Sequence, residues 1–477
     1  MPVAAELAAW TCGLRSDDLP EEVRRAVDRH VLDALGAALA ARRTGSAEPA
    51  LTVAYALGGP PEAQVVGGGV AIGAPAAALA TGALVHALDF DDTHAGGLVH
   101  ASAVVVPAVL AVGQQVGASG EELVTAAAIG YELICRLAAA SPHGFHARGL
   151  HATGIVGPLA AAAVAGRLLG LDPDTLTDAL GIAGSSAAGL LEFLGTGAAT
   201  KQLHPGMAAA NGILAARLAA AGATGPGSVL EGRFGIFASM SARPVDLDSV
   251  LAGLGRRWEA TRITVKPYPA CQLLHATLDA AIASGVPASE IDRVVVSVHP
   301  DAMDVVCEPR AAKVVPTSSY EAKFSLPWST ATAFLDGRVD VDSYRPPASD
   351  RPEVRELAGR IDVAVTPMEV VAADAPGRVR VVTRAGRCVD SSVLASIGTP
   401  ARPLPDELLV AKFRTNIGCD ERADAVLAAL GGLGERGGLG ERGGLGERGG
   451  LGQLPDPRPL LDACAVGSPG HRAGGGR

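Results

Sequence analysis

Residues 75–112 read PAAALATGALVHALDFDDTHAGGLVHASAVVVPAVLAV. The two arms hold small apolar residues and no charge, and the charged and imidazole groups gather in HALDFDDTHAGGLVH at 86–100. Ala is the best helix former, and short side chains let helices approach closely. The arms therefore read as helices, and the same texture runs from 75 to about 221, broken only by Gly or Gly-Pro. This predicts a mainly α protein. The centre is different in kind. Asp89, Asp91, Asp92, Thr93, His86, His94 and His100 lie within fifteen residues of apolar chain. Burying such a cluster is costly unless its members pair or meet a ligand, so it marks a candidate active site.

Working outward, residues 1–45 show helical periodicity, with Asp17-Asp18 and Pro20-Glu21-Glu22 as a helix start. Residues 47–73 look like short alternating pieces. Ser119-Gly120-Glu121-Glu122 and 172–174 mark further helix starts. After 266 the texture changes. A helix at 275–283 is followed by Val-rich strand patterns at 291–299, 361–366 and 378–383, with a helix over 321–335 between them. Residues 266–404 thus read as a smaller α+β domain. Residues 405–430 return to helical periodicity and complete the helical domain begun by 1–265. Residues 431–477 open with three copies of GGLGER and a partial fourth. Units so rich in Gly predict a low-complexity, disordered tail.

The 477 residues carry a formal charge of −10, with 48% hydrophobic and 3% aromatic residues. The acidic balance argues against nucleic acid or an anionic membrane as a partner. Seven scattered Cys without a CxxC pair suggest reduced thiols. The apolar runs are too short and too rich in Gly and Ala for a membrane span, so a cytoplasmic protein is expected.

Four further segments carry candidate chemistry. RGLHATG (148–154) places His151 just before an apolar helix. GTGAATKQLHPG (195–206) imitates a phosphate loop but has Thr200 where Gly would precede Lys201. KPYPACQLLH (266–275) holds Lys266 on a proline-stiffened loop and offers Cys271 as a possible nucleophile. EAKFSLPW (321–328) opens a helix, with Phe324 and Trp328 at packing distance. Asp89, Asp91, Asp92, His94 and His100 also form a donor set suited to a hard or borderline cation, as in a metal-dependent hydrolase.

Taken in order, HALDFDDTH, RGLHATG, GAATKQLHPGMAAANG, KPYPACQLLHATLDA and EAKFSLPW resemble the MmgE/PrpD family over roughly residues 1–430. The resemblance implies a large all-helical domain and a smaller α+β lid, typically in a homodimer. It implies an active site between the domains, with no metal and no organic cofactor. Carried over by motif, Asp89, Thr93, His100, His151, Lys201 and Lys266 are the pocket positions, with Asp91 and Asp92 in the same signature. Asp89, His151, His100 and Lys201 are the catalytic candidates. Thr93, Lys201, Lys266 and Asp92 are the candidates for binding substrate. The chain departs from family habit at Trp328, where relatives often have an aromatic hydroxyl. It departs at Cys271, where decarboxylases tend to have His, and at Asp91, where methylcitrate dehydratases tend to have Asn.

The chemistry implied is removal of a proton or carboxyl group next to a carboxylate. The two Lys would neutralise developing charge, and a His with a pKa near neutrality would move the proton. The expected function is a cofactor-independent lyase on a small di- or tricarboxylate. A hydro-lyase of the 2-methylcitrate dehydratase type is placed ahead of a cis-aconitate-type decarboxylase or an iminodisuccinate-type epimerase. A purely structural or binding role is the remaining alternative.

Overall fold

The computed structural model describes residues 1–344, 351–430 and 450–465. It is mainly α. The helical body is built from α1 (Glu21–Thr44), α2 (Ala74–His86), α3 (Ser102–Val116), α4 (Gly120–Ala139), α5 (Ala152–Leu168) and α6 (His204–Ala220). Helix α6 is central and packs on α2, α3 and α5. Its crossing with α2 is possible only because Gly82 meets Gly206. A Cβ on Gly82 would lie 2.6 Å from the Gly206 Cα. This is the packing that the Ala- and Gly-rich sequence anticipates.

The expected helix starts are present. Ser119 and Glu122 form a reciprocal capping box on α4, and Asp172 caps the helix Pro173–Ser185. The segment expected as alternating pieces instead holds a helix, Glu48–Leu57, because Pro49 sits in its first turn, where no N–H is needed.

A second core lies in the α+β part. Strands β1 (Ile291–Val298), β2 (Ile361–Val365), β3 (Gly377–Thr383) and β4 (Cys388–Val393) form one sheet in the order β2-β1-β3-β4. Strand β1 is parallel to β2 and antiparallel to β3. Helix α7 (His275–Ala283) lies on β3 and β4 and touches α8 (Leu326–Asp336). The single helix expected over 321–335 is split. Ser319–Ala322 makes one turn, and α8 then restarts with Ser325 accepting from the Trp328 N–H and Pro327 in its first turn.

The chain then returns to the first core through α9 (Asp406–Ile417) and α10 (Asp420–Ala429). The disordered tail needs correction. Residues 431–449 and 466–477 lie outside the described residues, but 450–465 are packed. Helix α11 (Arg458–Cys464) lies on α10, and Leu451, Leu454, Leu460 and Leu461 are buried. The Leu451 N–H donates to Asp28 Oδ1 at 2.8 Å, and the Gly120 N–H donates to the Leu454 carbonyl at 2.8 Å. Average composition hid four leucines that have a surface to cover.

Candidate active site

Helix α2 ends at His86, and the chain turns through Asp89 in a left-handed conformation, φ +51°. Asp tolerates that region better than most residues. The next residues pair with a later strand: Thr93 opposes Thr264 and His94 opposes Ile263. This two-residue ladder brings Lys266 back onto Asp89. A tight turn through Gly96-Gly97-Leu98 bridges His94 to Val99 and returns His100 beside Thr93. Lys201 enters from the 3-10 turn Ala199–Leu203 that leads into α6, and His151 precedes α5.

The Asp89 carboxylate is fully buried between two ammonium groups. Lys201 Nζ lies 2.5 Å from Oδ1, and Lys266 Nζ lies 3.2 Å from Oδ2 and 2.9 Å from the Asp89 carbonyl. Burial alone pushes the Asp89 carboxyl up, but Lys201 and then Lys266 outweigh it and hold the group well below the usual range. Lys201 Nζ is also 3.2 Å from His100 Nε2 and 5.1 Å from the centroid of the Phe324 ring. His151 Nδ1 lies 3.1 Å from His204 Nδ1, and His151 Nε2 has no partner among the described residues. Burial first, and Lys201 second, push the imidazoles of His100 and His151 well below their ordinary pKa. Both are therefore neutral in the unliganded site, not poised near neutrality as the sequence suggested.

Four of the carried-over positions line one narrow cavity at the seam between the two cores. Thr93, His100, His151 and Lys201 face it, and Lys266 is fully buried behind Asp89. Asp92 does not join them. Its carboxylate accepts from the Ser102 N–H at 3.0 Å and from the Ser102 hydroxyl at 2.5 Å, and so anchors the start of α3. Asp92 is a structural group because side chains in this turn alternate between the cavity and the helical core. Cys271 reaches the cavity, but burial and then Asp89 push its thiol up, so it stays protonated.

The metal donor set read from the sequence also divides. His94 turns to Glu259 at 3.1 Å, and Asp92 is taken by Ser102. Among the described residues, the groups whose ligand atoms do converge, within 4.8 Å, are His86 with Asp89, Asp91 and His100, and His86 with His100 and His151. A cation in the first set would sit against two ammonium groups already held by Asp89.

Three contributors were not legible. His146 lines the cavity, one imidazole upstream of His151 in PHGFHARGLH. Tyr320 is buried, its hydroxyl has no partner among the described residues, and burial, then Asp89 and Asp91, push its phenol up. Lys412, on α9, forms an ion pair with Asp33 Oδ1 at 2.6 Å and donates to the Phe90 carbonyl at 3.0 Å and to the Lys266 carbonyl at 2.8 Å. It ties together the two backbone segments that carry Asp89 and Lys266.

Residues 5–247 match the MmgE/PrpD N-terminal domain, and residues 268–428 match the MmgE/PrpD C-terminal domain. The chain belongs to the MmgE/PrpD family. A cis-aconitate decarboxylase of Aspergillus terreus is 29% identical over 450 residues, covering 87% of this chain and 89% of that protein. Cis-aconitate decarboxylases of Mus musculus and Homo sapiens are each 30% identical, covering 71% of this chain and 71% and 72% of theirs. No helix among the described residues is long and apolar enough to cross a membrane.

Proposed function

We propose that this member of the family is a lyase that breaks a bond next to a carboxylate with its own side chains. The observation that carries the reading is Lys201, whose ammonium joins Asp89 at 2.5 Å to His100 at 3.2 Å on the wall of the buried cavity. A substrate carboxylate binds the Lys201 ammonium. Electron density that develops on the adjacent carbon is stabilised by Lys201, with Lys266 holding Asp89 in place behind it, in a site from which water is largely excluded. Neutral His100 and His151 accept a proton there, and an anion bound beside them raises their basicity.

The names of the relatives support decarboxylation ahead of the dehydration that the signature first suggested. In decarboxylation the carbon–carbon bond breaks, carbon dioxide leaves, and the retained electron pair takes a proton from an imidazolium, which gained that proton from solvent when the substrate anion bound beside it. Epimerisation would use Lys201 as a second acid or base, and its tight pairing with Asp89 disfavours that.

Proton NMR in deuterated buffer, with a panel of mono-, di- and tricarboxylates that includes cis-aconitate and 2-methylcitrate, separates these outcomes. The expected result is carbon dioxide release with one deuteron incorporated from the acid that turns over. His151→Gln or Asp89→Asn lowers kcat roughly 10²–10⁴-fold with a smaller change in KM, whereas Lys201→Met raises KM as well. A chelator leaves the rate unchanged. Undiminished turnover in both His151→Gln and Asp89→Asn, or inactivation by a chelator that zinc reverses, would overturn the reading.

A further inference from the structure

The cavity has two unlike sides, and their balance bears on what it accepts. On the polar side, among the described residues, Lys201 is the one ammonium that lines the cavity, and no Arg lines it. Lys266 is fully buried and spent on Asp89. Asp89 already offsets one of the two ammonium charges, which leaves one positive charge for an incoming anion. Three carboxylates closed into this space would bring three negative charges against it. Each uncompensated ion in a dry site costs several kcal/mol, or else forces a proton onto a neighbour.

The other side is apolar. Leu98, Leu191, Leu194, Leu273, Val305 and Phe324 line it, from both sides of the seam. Leu98 is held at φ +49°, a left-handed conformation that Leu rarely adopts. Strain of this kind persists where the surrounding structure over-determines it, and it clusters at ligand sites. Here it supports a side chain in the cavity wall.

We propose that the acid accepted by this cavity carries one or two carboxylates and an apolar arm, and is not a tricarboxylate. The inference rests on the lyase reading above and narrows its substrate class. One carboxylate seats on Lys201, beside His100 and His151. The arm lies against Leu98, Leu191, Leu194, Leu273, Val305 and Phe324. The same residues could instead serve only to seal the two cores together, in which case an apolar arm gains nothing.

Calorimetric binding of succinate, butylsuccinate and propane-1,2,3-tricarboxylate to the full chain decides between these. Each buried methylene strengthens binding about fourfold, so butylsuccinate should bind at least tenfold more tightly than succinate and more tightly than the tricarboxylate. Leu194→Arg adds a cation to the apolar wall and should reverse the order of the last two. If the tricarboxylate binds most tightly to the unaltered chain, or the butyl arm adds nothing, the proposal is overturned and the lyase reading stands. If none of the three acids binds, both fall.

Discussion

Asp89 and Asp92 stand three residues apart and are equally buried, yet their carboxyls move in opposite directions. Two ammonium groups hold Asp89 low, whereas burial, against two bonds from Ser102, pushes Asp92 up to about 7. The sign for Asp92 follows from that. Its folded pKa lies above the unfolded value of about 3.9. Its contribution to stability is therefore fully present below about pH 4 and lost as the pH rises through about 7. Asp92→Asn removes this dependence. Relative to the parent, the variant should gain stability between pH 4.5 and 8, by roughly 2–4 kcal/mol. Thermal melts across that range check it, and a difference that does not change with pH would refute it. Asp89 has the reverse sign: its contribution is present above the unfolded pKa and is lost only as the pH falls through its depressed folded value.

At the level of elements, the sharpest contact is the one between α2 and α6. A Cβ on Gly206 would strike the Leu79 carbonyl and come within 3.0 Å of the Ala83 nitrogen, both backbone atoms of α2. Gly206→Ala should cost about 1–3 kcal/mol or more and lower the Tm. Gly195→Ala, where nothing lies within 4 Å, is the control and should cost little. An unchanged Tm for Gly206→Ala would mean that the crossing can relax. The elements that the sequence disclosed are those with strong periodicity. The strand patterns at 291–299 and 378–383 fall within a residue of β1 and β3, because inward Val residues alternate there. The split at Ser325 and the helix Glu48–Leu57 were hidden because a proline reads alike in a helix interior and in a first turn. For the site, motifs located Asp89, His100, His151, Lys201 and Lys266. They could not show that Asp92 faces the helical core, or that Lys412, on an ordinary amphipathic helix, is half-buried with its ammonium against Asp33. Those are consequences of tertiary packing alone.

For the whole molecule, the helical body draws on both ends of the chain. The segment 450–465 buries Leu451, Leu454, Leu460, Leu461 and Cys464 against it. Each such side chain contributes about 1.5–3 kcal/mol at most. Truncation after Leu430 should therefore lower the Tm by several degrees and leave the candidate catalytic groups in place. A melt unchanged by the truncation would show that the packing contributes nothing. The bonds of Lys412 have a further consequence, one of timing. Asp33 is made early and Lys412 late. At about 5–20 residues per second their synthesis is separated by roughly 20–75 s. Throughout that interval Asp33 belongs to a nascent helical body without its counter-ion, and nothing yet joins the Phe90 and Lys266 carbonyls. The chemical centre is thus among the last parts of the molecule to come into being on the ribosome, and a message broken upstream of Lys412 yields a chain without it.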